Sequence, residues 1–167
     1  MKTIAFAGSN SSKSINHQLI KYIATLRPNT EVIKLTTYDI PMYNFDIEET
    51  KGIPNEVIRL DSKLAEADTF IISVAEHNGN ITAFFKNSID WLSRNNRDFL
   101  KNKKVILLSS SPGKGGASSA LKITASTLPY FGAIVTNTLS IGDFYKVFKD
   151  GVLIDTLLNQ KLENCIS

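Results

Sequence analysis

Short apolar runs alternate with segments of helical periodicity along the whole chain. The nearly continuous apolar runs are typical of strands buried on both faces of a parallel sheet. They predict strands at residues 4–8, 70–74, 105–109 and 133–136. Residues 31–35 alternate and predict a strand at a sheet edge. Helical spacing predicts helices at about 14–26, 55–67, 82–94, 117–128 and 152–163. Residues 38–54, which contain two prolines and a glycine, are expected to be irregular.

This fivefold alternation of strand and helix predicts an α/β domain with a parallel sheet and right-handed crossovers. Five strands favour the flavodoxin-like doubly wound order 2-1-3-4-5, with helices on both faces. The length of 167 residues suits one domain over residues 1–167. In such a sheet ligands bind outside the carboxyl ends of the strands, at the switch point between strands one and three.

Composition narrows the class of protein. The single cysteine, Cys165, allows neither an intrachain disulfide nor a thiolate metal cluster, and this usage fits a reducing compartment. The first residues lead directly into a short strand, too brief for a signal peptide or a membrane span, so we expect a cytoplasmic protein with no membrane partner. The net charge is only +3 and the basic residues are scattered, which argues against a nucleic-acid partner.

Polar loops follow three of the predicted strands. The first, residues 8–16, is rich in glycine, serine and asparagine and leads into a helix near Ser14. Backbone N–H groups, hydroxyls and the helix dipole would attract an anion there. Ser14 could equally be an ordinary N-cap. Residues 75–80 and 110–116 form the other two loops, and all three should converge at one edge of the sheet.

Two common nucleotide-binding motifs do not fit these loops. A Walker loop needs an earlier glycine where Leu108 stands, and a serine or threonine after Lys114. A dinucleotide-binding loop needs further glycines after Gly8.

The loops do resemble those of the NAD(P)H-dependent FMN reductase family. Residues 8–16 (Gly-Ser-Asn-Ser-Ser-Lys-Ser-Ile-Asn) are similar to its first loop, and Ala-Glu-His-Asn-Gly-Asn at 75–80 is similar to its Pro-Glu-Tyr-Asn-Gly-Ser loop. Residues 85–91 resemble the Leu-Lys-Asn-Ala-Ile-Asp-Trp helix that follows. Ser-Pro-Gly at 111–113, with the glycines at 115 and 116, resembles the family's third, glycine-rich turn.

The resemblance implies a flavodoxin-like oxidoreductase that binds FMN and takes a hydride from NADPH or NADH. A quinone, an azo compound, free flavin or a similar small molecule would accept the electrons. The family commonly forms homodimers or homotetramers. Because the flavin carries the chemistry, no catalytic side chain and no metal is expected.

The same resemblance implies the residues that bind the cofactor. The first loop would hold the phosphate, the second would line the isoalloxazine ring, and the third would approach the ring's other edge. The matching residues are Ser9, Ser11, Ser14, Ile15 and Asn16; Glu76, His77, Asn78 and Gly79; and Ser111, Pro112 and Gly113.

Some positions depart from the family pattern. Ser11 stands where the family usually has an arginine, and Lys13 could supply the charge without the bidentate geometry. Proline, tyrosine, serine and a second proline are replaced in and after the second loop by Ala75, His77, Asn80 and Thr82.

Two other functions stay open: a flavodoxin-type electron carrier, and an interaction protein of this fold that binds FMN weakly or not at all.

Aromatic residues outside the loops have two possible roles. Phe84, Phe85 and Trp91 have helical spacing that suits either the core or a subunit contact. Met42, Tyr43 and Phe45 could pack locally or cover a flavin or a partner subunit.

Overall fold

The computed structural model describes residues 2–167, and these form a five-stranded parallel sheet in the order β2-β1-β3-β6-β7. This order is the predicted flavodoxin-like one. The strands of the sheet are β1 (Thr3–Gly8), β2 (Thr30–Val32), β3 (Thr69–Val74), β6 (Lys104–Ser110) and β7 (Ile134–Ile141). Two short antiparallel hairpins lie outside it, β4 (Glu76–His77) with β5 (Asn80–Ile81) and β8 (Phe148–Lys149) with β9 (Val152–Leu153).

Helices cover both faces of the sheet. They are α1 (Ile15–Leu26), α2 (Phe45–Lys51), α3 (Asn55–Ala65), α4 (Ala83–Asn95), α5 (Ser118–Thr127), α6 (Phe144–Val147) and α7 (Thr156–Ile166). One apolar core joins the sheet to α3, α4 and α5, and the other joins it to α1 and α7. The central strands β1 and β3 are buried along their full length, which explains their nearly continuous apolar sequences. Within the described chain no helix has the length and apolar character needed to cross a membrane.

The segment expected to be irregular contains α2, so that prediction was wrong. Asn44 caps the helix, because its Oδ1 accepts hydrogen bonds from the backbone N–H groups of Asp46 at 2.7 Å and Ile47 at 3.4 Å. Acidic residues in the first turn and Lys51 in the last suit the helix dipole. Gly52, with a φ of 75°, ends the helix.

The carboxyl-terminal boundaries also differ from the prediction. Val152 and Leu153 pair with β8, so the last helix starts only at Thr156, where Asp155 Oδ1 accepts from Leu158 N at 2.8 Å. Strand β7 runs five residues beyond the predicted end at 136, to Ile141. Polar residues at 136–138 concealed it, because an edge strand can expose them to water.

Segment 38–54 is fastened to α4. Asn87 Oδ1 accepts from Tyr43 N at 2.7 Å, and Asn87 Nδ2 and Trp91 Nε1 both donate to the Pro41 carbonyl, at 2.9 and 2.8 Å. The ring of Tyr43 packs edge-on against Trp91 at 5.0 Å. Trp91 and Phe85 therefore belong to the core, and Tyr43 packs locally.

Candidate functional site

The three predicted loops meet around one cavity at the carboxyl edge of the sheet. We call it the central cavity, and its volume is about 220 Å³. It is lined by Ser9, Ser11, Lys13, Ser14, Ile15, Asn16, Ala75, Glu76, Ser110, Ser111, Pro112 and Tyr145. Most of the residues predicted from the sequence are therefore brought together at the switch point between β1 and β3.

The amide of Asn16 joins the ends of β3 and β6 beneath this cavity. The side chain is 2% exposed. Its Nδ2 donates to the Ser110 carbonyl at 3.1 Å, and its Oδ1 accepts from Ser110 N at 3.0 Å and from Ser73 Oγ at 2.7 Å. Both polar atoms are thus occupied within the protein. Asn16 can offer its backbone N–H to a ligand, whereas its side chain positions the loops.

The first loop presents backbone donors at the start of α1. Ile15 and Asn16 are the first two residues of the helix, so geometry leaves their N–H groups without partners inside it. Ser14 caps the helix by accepting from His17 N at 3.2 Å, and its own hydroxyl proton is still available. The N-cap interpretation of Ser14 is therefore confirmed, and its hydroxyl proton is free to bond to a ligand.

The second loop is a tight hairpin rather than an open loop. Asn78 and Gly79 occupy its turn with φ values of 53° and 73°, the left-handed conformation that an Asn-Gly pair favours. This geometry turns His77, Asn78 and Gly79 away from the central cavity. His77 and Asn78 instead line a wider groove of about 770 Å³ between the hairpin, α4 and α5, which we call the outer groove.

Two hydrogen bonds fasten this hairpin to its neighbours. Glu76 Oε2 accepts from Ala120 N at 2.9 Å, in the first turn of α5, whose own N-cap Ala117 provides no side-chain bond. Thr82 caps α4 by accepting from Phe85 N at 3.1 Å and donates to the Gly8 carbonyl at 3.0 Å. Glu76 therefore shapes the site, and Thr82 ties the second loop to the first.

The third loop is packed against the loop that follows β7. Gly116 has a φ of +59°, and a Cβ there would lie 2.2 Å from Ser140 Oγ and 2.9 Å from Gly142 N. Only glycine fits this position. Ser111 Oγ donates to the Gly113 carbonyl at 3.0 Å, so Gly113 is tied within the loop and does not itself line the cavity.

Sequence reasoning did not assign Ala75, Ser110 and Tyr145 to the site. Ser110 was predicted to begin the third loop but was not assigned to the site, and the structure makes it the last residue of β6. Tyr145 comes from α6, which follows the carboxyl end of the last strand. A correct prediction of the end of β7 would have placed Tyr145 at the site, because the residues that follow parallel strands lie at the same edge of the sheet.

The chemistry of the central cavity suits a phosphate ester. Backbone N–H groups, serine hydroxyls, a helix N-terminus and Lys13 surround it. The carboxylate of Glu76 is turned to the α5 amide at Ala120. A doubly wound sheet with such a cavity at its switch point places the chain in the flavodoxin-like class, whose ligands bind at this edge.

Comparison with known proteins identifies the family within that class. The sequence profile of the NADPH-dependent FMN reductases matches residues 1–145. The chain belongs to the NADPH-dependent FMN reductase family. It is an oxidoreductase with FMN as cofactor and NAD(P)H as electron donor.

Individual relatives agree with this placement. A quinone reductase of Escherichia coli (strain K12) is 30% identical over 139 residues, which cover 82% of this chain and 74% of that protein. The structure of FerB, an NAD(P)H:(acceptor) oxidoreductase from Paracoccus denitrificans, matches with a TM-score of 0.81 at 26% identity, covering 99% of this chain and 93% of that one. An FMN-dependent NADH-azoreductase from Bacillus anthracis, solved with FMN, shares the fold at 15% identity and a TM-score of 0.58, with 99% and 96% covered.

Proposed function

We propose that the central cavity holds the phosphate of FMN. The N–H groups of Ile15 and Asn16 and the hydroxyls of Ser9, Ser11 and Ser14 would donate hydrogen bonds to it. Each charge-assisted bond of this kind contributes about 1.5–3 kcal/mol, although binding costs offset much of the sum. The observation that carries the proposal is the pair of unpartnered N–H groups at the start of α1, beside a hydroxyl that needs only to turn its proton.

Lys13 supplies the positive charge that the family's arginine would otherwise provide. It lines the same cavity as Ser11. As a point charge it attracts phosphate without fixing its orientation. Orientation then rests on the backbone donors and on Ser14.

The isoalloxazine ring would lie toward the second and third loops. Ala75 and Glu76 would border it on one side and Ser111 and Pro112 on the other, whereas His77 and Asn78 lie at the outer groove. The outer groove beside His77 and Asn78 gives space for a nicotinamide or an acceptor next to the ring. Tyr145, 58% exposed at the rim of the central cavity, is an additional candidate contact for the cofactor.

The reaction is the transfer of two electrons from NADPH or NADH to a small acceptor. FMN, when bound, supplies this chemistry, in which the nicotinamide gives up a hydride and an acceptor such as a quinone, an azo compound or free flavin is reduced. The protein's own task is to bind and orient the reactants, so no acid–base pair is required. The relatives described as quinone reductases support a quinone as the first acceptor to test.

We also propose that the protein works as a homodimer or homotetramer in the cytoplasm. Met42 is 68% exposed and Phe45 58% exposed, on a segment that Asn87 and Trp91 hold firmly in place. Large apolar side chains on a rigid surface suit a subunit contact. Sedimentation velocity of the wild type and of Met42→Glu/Phe45→Glu tests this, since the double variant should shift toward the monomer. A wild-type monomer at micromolar concentration would contradict it.

Anaerobic rapid mixing tests the proposed reaction. FMN-loaded protein mixed with NADPH, and separately with NADH, should lose its oxidised-flavin absorbance, and a quinone added afterwards should restore it. Reduction by neither nicotinamide would contradict the proposal and indicate an electron carrier.

A further inference from the structure

A second cavity lies on the other side of the first loop. We call it the side cavity, and its volume is about 280 Å³. It is lined by Ala7, Ser9, Asn10, Ser11, Ser12, His17, Lys34, Leu35 and Thr36. Ser9 and Ser11 border both cavities, so the first loop forms a shared wall between them. The flavin site uses only one side of that wall.

The side chains around this cavity favour an anion. Lys34 contributes a positive charge, and no carboxylate belongs to the lining, nor does any ion pair to Lys34 occur between residues 2 and 167. Serine, threonine and asparagine side chains add hydrogen-bond donors on several sides.

The imidazole of His17 is an independent sign of a missing partner. Its Nε2 atom is buried and has no hydrogen-bond partner among the described residues. Buried polar atoms in proteins almost always have one. The backbone N–H of His17 is bonded to the Ser14 cap, and the residue lines the wall of the side cavity.

We propose that the side cavity is a second oxyanion site that takes a phosphate group, with Lys34, His17 and the side chains of Asn10, Ser12 and Thr36 as its ligands. The site is separate from the one that holds the flavin phosphate. Its ligand is either free phosphate or a phosphate group of a dinucleotide such as NADP⁺.

The protonation of His17 provides a signature for this site. Burial, followed by the charges of Lys21 and Lys34, lowers the pKa of His17 from its usual value. A bound oxyanion favours the imidazolium and therefore raises that pKa. Anion affinity should rise as pH falls through the pKa of the bound form, and binding should be accompanied by proton uptake.

NMR of the histidine side chains tests the proposal directly. The chain has two histidines, so His77→Gln leaves His17 as the sole imidazole signal. In FMN-saturated protein, inorganic phosphate should shift this signal with a Kd of about 1 mM or below. Sulfate, which remains a dianion, should raise the His17 pKa. Titrations with NADP⁺ and NAD⁺ show which molecule carries the phosphate group. If NADP⁺ shifts the His17 signal at lower concentration than NAD⁺, the ligand is the dinucleotide phosphate. If both dinucleotides shift it equally weakly while inorganic phosphate binds, the ligand is free phosphate.

Matched lysine variants separate the site from general charge. Lys34→Met should weaken phosphate binding by about tenfold, whereas Lys21→Met, which also removes a charge near His17 but not from the cavity wall, should change it by less than about twofold. Equal effects of the two variants, or no shift of the His17 signal with any of these anions, would overturn the proposal. Because His17 lines the side cavity and not the central cavity, its signal can also be followed in the apoprotein, so failure of FMN binding leaves a readout, and failure here leaves the flavin proposal intact.

Discussion

Asn16 and Ser110 exchange two hydrogen bonds through one side-chain amide, which binds both the N–H and the C=O of Ser110. This arrangement fixes the end of β6 against the start of α1, and a third bond adds Ser73 of β3. The loops that surround the central cavity are therefore held in register by a buried group that does not itself face a ligand.

We expect Asn16→Ala to act mainly by destabilising the fold. The change leaves buried groups of Ser73 and Ser110 without partners, which should lower the free energy of unfolding by about 3 kcal/mol. Urea unfolding of the apoprotein measures this. Asn10→Ala, at an exposed position in the same loop, is the control and should change stability by less than about 0.5 kcal/mol. Equal stability of the two variants would contradict the positioning role of Asn16.

A pair of substitutions separates the two roles of Ser14, helix cap and proposed phosphate ligand. Ser14→Ala removes both the cap and the hydroxyl donor, so it should cost about 1 kcal/mol of stability and weaken FMN binding about tenfold. Ser14→Asp keeps a good cap but places a negative charge beside the phosphate. Its stability should stay near wild type while FMN affinity falls about a hundredfold or more. Wild-type FMN affinity in Ser14→Asp would show that Ser14 serves only as a cap.

Glu76 should act through the helix that it caps. Glu76→Ala removes the acceptor for Ala120 N–H and should lower stability by about 1 kcal/mol. Glu76→Gln retains an acceptor oxygen and should recover most of that loss. Thermal unfolding of the apoprotein compares the three proteins. If glutamine is as destabilising as alanine, then the charge and not the hydrogen bond matters at this position.

Gly116→Ala tests the close contact between the third loop and the loop after β7. The left-handed φ of +59° and the 2.2 Å approach of a Cβ to Ser140 Oγ should together lower the free energy of unfolding by about 2 kcal/mol or more. Gly115→Ala is the neighbouring control, because a Cβ there would meet nothing within 4 Å. Chemical denaturation of both variants gives the comparison, and similar midpoints would argue against this packing.

An ion cluster at the opposite edge of the sheet predicts acid sensitivity. Lys63 lies 2.7 Å from Glu31 and 3.0 Å from Glu66, and Lys2 also pairs with both carboxylates. Hydrogen bonds from these lysines hold the pKa of each carboxyl below its usual value. A folded-state pKa below the unfolded one stabilises the protein above the unfolded pKa, and this contribution is lost as pH falls through the folded pKa.

Glu31→Gln/Glu66→Gln should therefore lose less stability than the wild type between about pH 6 and pH 3. The drop in free energy of unfolding, measured by urea titration at each pH, is the quantity to compare. Glu49→Gln, outside the cluster, should behave like the wild type. A double variant with an unchanged drop would show that the cluster contributes nothing.

The strand order and most helices followed from the sequence because buried parallel strands and amphipathic helices leave strong periodic signals. The helix at Phe45–Lys51 was missed because its stability comes from caps and charges, and none of its residues is buried. In the site, residues 75–80 were predicted only as a polar loop, and the sequence analysis did not foresee that they pair as a hairpin whose turn carries Asn78 and Gly79 away from the central cavity. The role of the Asn16 side chain could not be read from its loop, because its partners lie 57 and 94 residues away.

The central claim is that the first loop binds the phosphate of FMN. A titration of apoprotein with FMN and with riboflavin, which lacks the phosphate, followed by quenching of flavin fluorescence, tests it most directly. We expect FMN to bind at micromolar concentration or below and riboflavin to bind at least about a hundredfold more weakly. Equal affinity for the two flavins would contradict the account.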